Sequence, residues 1–359
     1  MLSTTQKIQD EILKASLKAR GRSVEHRKTR DPRRPAAKWV AEARVVGVRG
    51  KALSIVLSTI GCSHARGDSG GCTMCSYLLD GTSKSPTPEE LIDQFKSALK
   101  ELDGTDIPHS VKIYTSGSFF DSDEIPDTAR REILSIISGL TEVQEVVLET
   151  RPEYVTDSVM AEVRGVLGDR AIELGIGLES SSDLVRTVCV NKQFEYDEFR
   201  VSVETARRHD IGVRAYVLLK PPFLTESEAI ADVKRTIDDL VALKAATISV
   251  NPVNIQRNTL VERFWNRRRY RPPWLWSVVE VLQYAHEVSK GEINIVCDPA
   301  AAGKIRGTHN CSKCDKAVVD AIRQFSLDGD PRVFAHLNCD CKSLWKHTLE
   351  HEGISLLVH

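Results

Sequence analysis

The chain has 359 residues, of which 41% are hydrophobic, 49 are basic and 50 are acidic, so its formal net charge at pH 7 is −1. This composition is that of a globular protein with a sizeable core, and it excludes nucleic-acid binding through overall charge alone. The sequence has neither the apolar run of a signal peptide nor an apolar stretch of membrane-spanning length, so we expect a cytoplasmic location without membrane contact.

Residues 1–50 are predicted to form a basic N-terminal extension. A helix is expected from Gln6 to Lys18, and a run of basic residues follows it: Arg20, Arg22, Arg27, Lys28, Arg30, Arg33 and Arg34. Such a segment is either a solvated arm or a surface that contacts phosphate groups, and the sequence leaves both interpretations open.

Residues 51–290 are predicted to alternate strands with helices. Capping boxes at Thr87–Glu90 and Thr225–Glu228 mark the starts of two helices. The apolar, β-branched runs that predict strands are Leu53–Leu57, Val111–Tyr114, Glu145–Leu148, Ala171–Ile176, Val213–Leu219, Thr247–Val250 and Ile293–Val296. The alternation predicts an α/β fold, a partial or near-complete (β/α) barrel with its active site at the carboxyl ends of the strands.

Candidate substrate-binding residues lie on later loops of this region. Lys220 and Asn251 each follow a predicted strand, although turn formation would explain both residues equally well. In the stretch 254–276, arginines that include Arg267, Arg268 and Arg269 are interleaved with aromatic residues. This mixture suits phosphate contact and base stacking, and the alternative is a loop that packs its aromatic residues on the barrel and exposes its arginines.

The first group of cysteines lies on the loop after the first predicted strand. Cys62, Cys72 and Cys75 can hold three irons of a [4Fe–4S] cluster and leave the fourth iron open for a small molecule. The alternative is a zinc site that His64 completes.

The second group of cysteines lies in residues 291–359, which we expect to form a small C-terminal, cysteine-rich module. Cys311 and Cys314 with Cys339 and Cys341 give a good zinc pattern. Cys297 or His309 is an alternate ligand, and a second iron–sulfur cluster is the remaining interpretation.

The spacing Cys-x9-Cys-x2-Cys, followed by Tyr77, resembles that of radical S-adenosylmethionine (SAM) enzymes, and the long first loop is similar to that of the Elongator catalytic subunit. The resemblance implies a radical SAM barrel in which Cys62, Cys72 and Cys75 are catalytic. It implies a [4Fe–4S] cluster that cleaves SAM reductively with electrons from a separate donor.

Segments at three later strand ends resemble the SAM-binding segments of that family. The resemblance implies that backbone carbonyls at Gly117, Ser118 and Phe119 receive the methionine amino group, since the usual Gly-Gly-Glu is absent. It implies that Glu149 accepts from the ribose hydroxyls and that Arg151 pairs with the methionine carboxylate. Glu179 falls in the segment that contacts adenine and ribose.

The cluster loop and the stretch Arg271–Ser277 also resemble one narrower family, the archaeosine synthase radical SAM subunits known as RaSEA. This resemblance implies a lyase that cleaves a carbon–nitrogen bond of the lysine adduct of 7-cyano-7-deazaguanine in tRNA and leaves archaeosine. The implied partners are tRNA and the archaeosine synthase ArcS, which attaches the lysine. Another Elongator-like tRNA-modifying activity and a non-catalytic, zinc-stabilised RNA-binding protein are the alternatives.

Overall fold

The structure, a computed structural model, describes residues 3–23, 25, 27, 30–102 and 107–353. Lys28 of the basic run therefore lies outside the described residues. Within them, eight strands form one sheet: β1 (Ala37–Val45), β2 (Val48–Val56), β3 (His109–Tyr114), β4 (Val143–Thr150), β5 (Ala171–Glu179), β6 (Gly212–Leu219), β7 (Thr247–Pro252) and β8 (Asn294–Val296).

The strands lie side by side in the order of the sequence. β1 pairs antiparallel with β2, and each later strand pairs parallel with the one before it. Parallel neighbours need crossovers, which the helices between them supply on the outer face. The seven predicted strands are confirmed as β2 to β8, and the predicted α/β barrel is confirmed.

Helices cover the outer face of the sheet. Both predicted capping boxes are confirmed, at the starts of α3 and α7. The helices are α1 (Thr4–Arg20), α2 (Ser63–Arg66), α3 (Pro88–Leu99), α4 (Asp127–Ser138), α5 (Asp157–Leu167), α6 (Tyr196–Arg208), α7 (Glu226–Ala242), α8 (Leu260–Asn266), α9 (Leu275–Ser289), α10 (Asp315–Asp328) and α11 (Cys341–His351), with a π-helix at Val185–Val190.

The barrel is open between its two edge strands. In the described part of the chain the sheet ends at β1 and at β8, and α10 packs against both. Arg49 in β2 and Asp328 at the end of α10 form an ion pair with a 2.7 Å separation, which ties this helix to the β1–β2 hairpin. A helix from the cysteine-rich region thus covers the gap that strand pairing leaves.

The sequence analysis does not predict strand β1, because it places residues 1–50 in an N-terminal extension. Its side chains are mostly exposed or half-buried, and only Val45 is fully buried, so its sequence has no core-facing apolar run. Val46 and Gly47 form the two-residue turn to β2, and both have positive φ, as a tight hairpin turn requires. The division into an extension, a barrel and a C-terminal module stays a prediction.

The core lies between the sheet and the surrounding helices. Leu53 and Ile55 of β2, Val111 of β3 and Phe95 of α3 are fully buried in it. None of the helices in the described part of the chain has the length and apolar character that a membrane crossing needs.

Candidate functional site

The three cysteines of the cluster loop lie just beyond the carboxyl end of β2. Cys62 precedes the short helix α2, and Cys72 and Cys75 follow it; all three are partly buried. Burial raises the pKa of the Cys72 thiol to about 11, so its binding to a metal would release a proton. In the described residues, three or more metal-binding atoms lie within 4.8 Å of one another only at the C-terminal cysteines. The cluster-loop thiols therefore suit separate irons of one cluster better than a single ion.

His64 does not complete a zinc site in this loop. Its Nε2 lies 2.8 Å from the backbone oxygen of Asn191, and its Nδ1 lies 2.9 Å from Oγ of Ser69. Burial lowers the pKa of His64 to about 4, so the ring is neutral and donates through Nε2. Both ring nitrogens form hydrogen bonds within the protein, so His64 is not available as the fourth ligand of a zinc ion.

The π-helix that follows β5, and Asn191 directly after it, form hydrogen bonds with the cluster loop. The side-chain amide of Asn191 donates to the backbone oxygens of Ser69 and Gly71, at 2.8 and 2.7 Å. Thr73 donates through its backbone N–H to Val190 and through its hydroxyl to Cys189. Short π-helical segments often lie at functional sites, and here the segment fixes the position of three loop residues.

Gly117 allows the loop after β3 to lie directly against Cys62. A Cβ at this position would be 2.7 Å from Cα of Cys62 and 2.6 Å from a carboxylate oxygen of Glu124. Glu124 accepts hydrogen bonds from the Thr59 hydroxyl at 2.6 Å and from the backbone N–H groups of Ser116 and Ser118. This buried carboxylate organises the loop, and the sequence analysis did not identify it.

The side chains of Ser118 and Phe119 are turned into the protein. The Ser118 hydroxyl lies 2.7 Å from that of Thr150, and the Phe119 ring is fully buried in the core. The backbone N–H of Phe119 donates to the carbonyl of Glu149 at 2.9 Å. A ligand at this segment would consequently meet backbone groups.

Glu149 and Arg151 end β4 beside the cluster loop. A carboxylate oxygen of Glu149 accepts from the Thr115 backbone N–H at 2.9 Å, but burial raises the pKa of Glu149 to about 8. Nε of Arg151 lies 2.5 Å from Oε1 of Glu153. Burial opposes the charge of Arg151, but Glu153 and the cysteine thiols outweigh burial and raise its pKa. The site thus holds a cation near its thiols and a carboxyl that is largely neutral at pH 7.

Glu179 ends β5 and is paired with a lysine that the sequence analysis did not identify. Nζ of Lys192 lies 2.6 Å from Oε1 of Glu179, and both side chains are about 11% exposed. The electrostatic neighbours of Lys192 include Cys72, so the pair borders the cluster loop. No spacing pattern in the sequence marks Lys192 as a residue of the site.

Helix α1 covers the outer side of the cluster loop. Nη1 of Arg20 donates to the backbone oxygen of Ala65 at 2.8 Å, and a Cβ on Gly70 would lie 2.8 Å from Leu17 and 3.6 Å from Leu13. Arg263 of α8 donates to the Ala15 carbonyl at 3.3 Å. The helical part of the predicted extension is therefore packed on the site and is not a solvated arm.

The predicted substrate residues have different surroundings. Lys220 is buried, and its ammonium lies 2.8 Å from Glu226 and 2.6 Å from Glu352. The Asn251 side-chain amide donates to the Ser249 carbonyl at 3.1 Å. The remaining three, Arg267, Arg268 and Arg269, are all exposed.

The tryptophans near these arginines are packed inside the protein. Trp274 and Trp276 are 5% and 2% exposed, so these two rings are not available to stack on bases. The Trp276 indole N–H donates to Sγ of Cys341, and Arg271 lies 3.9 Å from the centre of the Trp274 ring. For these rings the packing alternative is correct, and they join the barrel to the C-terminal cysteines.

The C-terminal cysteines form a four-thiol cluster. Sγ of Cys311 lies 3.9 Å from that of Cys314 and 3.6 Å from that of Cys339, and Cys314 and Cys341 are also 3.6 Å apart. Tetrahedral zinc with bonds of about 2.3 Å would place its sulfurs about 3.8 Å apart. All four atoms lie within 4.8 Å of one another, which fits a single ion. Cys297 and His309, the predicted alternates, lie outside this group.

The open barrel, with three thiols at the carboxyl end of its first parallel strand, has the architecture of a radical SAM enzyme. No protein-family model matches the chain. Comparison with curated proteins shows that the chain belongs to the archaeosine synthase subunit beta family. It is 41% identical over 322 residues to the protein of that name from Methanosarcina acetivorans, covering 89% of this chain and 91% of the relative.

Two further relatives have similar coverage. The archaeosine synthase subunit beta of Thermococcus kodakarensis is 37% identical over 87% of this chain and 96% of its own length. An uncharacterised protein of Methanocaldococcus jannaschii is 36% identical over 95% of this chain and 93% of its own length.

Solved structures resemble the chain more distantly. The Elp3 protein of Methanocaldococcus infernus, with an N-terminal deletion, gives a TM-score of 0.48 at 14% identity, over 65% of this chain and 59% of that one. Spore photoproduct lyase gives 0.46 at 7% identity, over 64% of this chain and 73% of that one.

Proposed function

We propose that this chain is the radical subunit of archaeosine formation. In this role it cleaves a carbon–nitrogen bond of the lysine adduct of 7-cyano-7-deazaguanine in tRNA and leaves archaeosine. The observation that carries the proposal is the 41% identity, over 89% of the chain, with a protein named archaeosine synthase subunit beta. The cluster loop at the carboxyl end of β2 supports the radical character of the reaction.

Cys62, Cys72 and Cys75 are the proposed ligands of a [4Fe–4S] cluster. When bound, the reduced cluster supplies the electron that breaks a carbon–sulfur bond of SAM and so starts hydrogen abstraction from the substrate. Arg20 of α1 and Asn191, which follows the π-helix, hold the loop in position through hydrogen bonds to its backbone.

The residues around the loop are proposed to bind SAM. Arg151, a buried cation, is suited to the methionine carboxylate, and the backbone at Gly117, Ser118 and Phe119 is suited to the amino group. Because burial keeps the Glu149 carboxyl largely protonated at pH 7, it can donate as well as accept a hydrogen bond at the ribose. Tyr77 and Glu179 are proposed to complete the nucleoside side of the site.

The proposed partners are tRNA, the archaeosine synthase ArcS and an electron donor. The exposed arginines Arg267, Arg268 and Arg269 are suited to phosphate contact, and Asn251 lies at the carboxyl end of β7 among the proposed substrate residues. The four-thiol cluster is proposed to hold structural Zn²⁺, which would stabilise the region that covers the barrel gap.

The proposal is tested by incubating the iron- and zinc-loaded protein anaerobically with SAM, a reductant and tRNA that carries the lysine adduct. Archaeosine in the tRNA and 5′-deoxyadenosine in solution are the expected products. Replacement of Cys72 by Ala should abolish both products and leave tRNA binding nearly unchanged. Archaeosine formation by that variant would refute the cluster assignment, and 5′-deoxyadenosine without archaeosine would refute the lyase reaction.

A further inference from the structure

A cleft of about 770 Å³ opens directly beside the cluster loop. Its walls come from three parts of the chain: the segment after α1, with Arg27 and Arg30; the turn after Cys75, with Tyr77; and the loop after β7, with Gln256 and Arg257. Its size falls within the range of small-molecule and nucleotide sites. None of the residues that the preceding proposal assigns to tRNA lines it.

The cleft has a surplus of positive charge. Three arginines line it, and of the acidic residues that the structure describes only Asp80 does so. Asp80 lies 3.4 Å from Arg30, and that pair is partly exposed, so it leaves most of the positive charge uncompensated.

Among the described residues, Arg27 has a donor without a hydrogen-bond partner and Arg257 has no ion-pair partner. Nη1 of Arg27 donates to the backbone oxygens of Thr82 and Ile60, at 2.7 and 3.2 Å, and these bonds fix the side chain in place. Its Nε is buried without a hydrogen-bond partner among the described residues. Arg257 is exposed and forms no ion pair within the described part of the chain.

The turn after Cys75 and the loop after β7 contribute polar side chains to the cleft. Both the backbone N–H and the hydroxyl of Ser76 donate to Oε1 of Gln256, at 2.6 and 3.1 Å, and the Gln256 side chain is also a hydrogen-bond partner of Tyr77. Tyr77, which is 52% exposed, lines the cleft on the side that borders the proposed SAM site. Because Tyr77 is two residues from Cys75, this side of the cleft leads to the cluster.

We propose that this cleft binds one nucleotide of a single-stranded RNA segment. Arg257 contacts its phosphate, with Arg27 and Arg30 beside it in the wall of the cleft, and the base passes toward the cluster loop. A base paired within a duplex could not reach an enclosed barrel site, so the target nucleotide leaves its stack. The inference rests on the proposed function and adds to it the residues that hold the substrate.

The test measures binding of tRNA that carries the lysine adduct by fluorescence anisotropy, with the metal-loaded full chain and without reductant. Arg257→Ala should weaken binding roughly ten-fold, because it removes one charge-assisted contact. The slope of log affinity against log salt should fall by about 0.7–1 in the same variant. Arg323→Ala is the matched control, since Arg323 is exposed on α10, away from the cleft, and should bind like the wild type.

A second ligand shows whether Arg257 contacts the phosphate or the other anionic group of the substrate, the lysine carboxylate. The lysine-modified base without ribose or phosphate should bind to Arg257→Ala and to the wild type equally. Equal tRNA affinity of the Arg257→Ala and Arg323→Ala variants would overturn the proposal, as would an equal loss of affinity for the phosphate-free base. Archaeosine formation is assayed separately. The cleft proposal alone fails if archaeosine forms normally but Arg257→Ala binds tRNA like the wild type. The lyase proposal alone fails if tRNA binds as expected but no archaeosine forms.

Discussion

Nζ of Lys192 lies 2.6 Å from Oε1 of Glu179, and the two residues form a buried ion pair at the edge of the cluster loop. Glu179 ends β5 in the left-handed region, with a φ of 68°, and Lys192 follows the π-helix. A Cβ on Gly177 would come within 2.1 Å of the Lys192 ammonium, so the strand needs glycine there for the lysine to pass. The pair therefore links the end of β5 to the segment that fastens the cluster loop.

Replacing Lys192 by Met should destabilise the protein by about 3–5 kcal/mol, because it leaves the Glu179 carboxylate buried without its cation. Denaturant unfolding of the metal-loaded protein measures the change. The double variant Lys192→Met/Glu179→Gln removes the unpaired charge and should recover part of the lost stability. A single variant as stable as the wild type would show that Glu179 is solvated or already neutral.

Gly117→Ala should displace the cluster loop, because its Cβ would lie 2.7 Å from Cα of Cys62. We expect a large loss of bound iron and of cluster absorbance near 400 nm, with the far-ultraviolet circular dichroism retained. Gly165→Ala is the matched control: Gly165 lies in α5, and a Cβ there would meet nothing within 4 Å. That control should keep its iron and gain roughly 0.5–1 kcal/mol from helix propensity. Equal iron content in the two variants would contradict the close approach of Gly117 to Cys62.

The elements predicted from the sequence are those with local signals. The capping box at Thr87 and Glu90 satisfies backbone donors within four residues, so its formation does not depend on distant parts of the chain. Strands β2 to β8 carry runs rich in apolar and β-branched residues because most of their side chains are buried, although charged residues such as Lys112 and Arg214 interrupt them. Strand β1 lacks such a run, since its position depends on pairing with β2 and on the turn at Val46 and Gly47.

The site was predictable only where spacing or resemblance marked a residue. The cysteines have both signals. Glu124 and Lys192 are single charged residues far along the chain from Cys62, and only the fold brings them to the loop. The difference between Trp274, which is buried, and Arg267, which is exposed, also depends on tertiary packing that a basic and aromatic composition cannot reveal.

Removal of Cys314 should abolish metal binding at the four-thiol cluster, because the thiol lies 3.6 Å from that of Cys341 within a tetrahedral group. Cys314→Ala should lose about one zinc per chain and melt at a lower temperature, since the metal contributes folding free energy. Cys297→Ala is the control, as this buried cysteine lies outside the cluster, and its zinc content should not change. Zinc loss in Cys297→Ala, or iron in place of zinc in the wild type, would contradict the assignment.

Lys220→Met should destabilise the protein by about 3–5 kcal/mol at pH 7, because two carboxylates, Glu226 and Glu352, share its buried ammonium. Burial opposes ionisation of Glu226, but Lys220 and hydrogen bonds from Ser277 and Trp274 outweigh it and lower the pKa of this carboxyl. A lowered carboxyl pKa contributes stability above the unfolded-state value, near 4.3, that is lost as the pH falls through the folded-state value.

The stability difference between Lys220→Met and the wild type should therefore shrink as the pH falls from 7 toward 4, where the carboxyls of the variant become protonated. Denaturant unfolding at several pH values measures this trend. Lys234→Met is the matched control, because Lys234 and Glu280 form a partly exposed pair of similar length, and its loss should cost less than about 1 kcal/mol. If Lys220→Met instead keeps its stability and loses only tRNA affinity, the lysine serves the substrate and not the core.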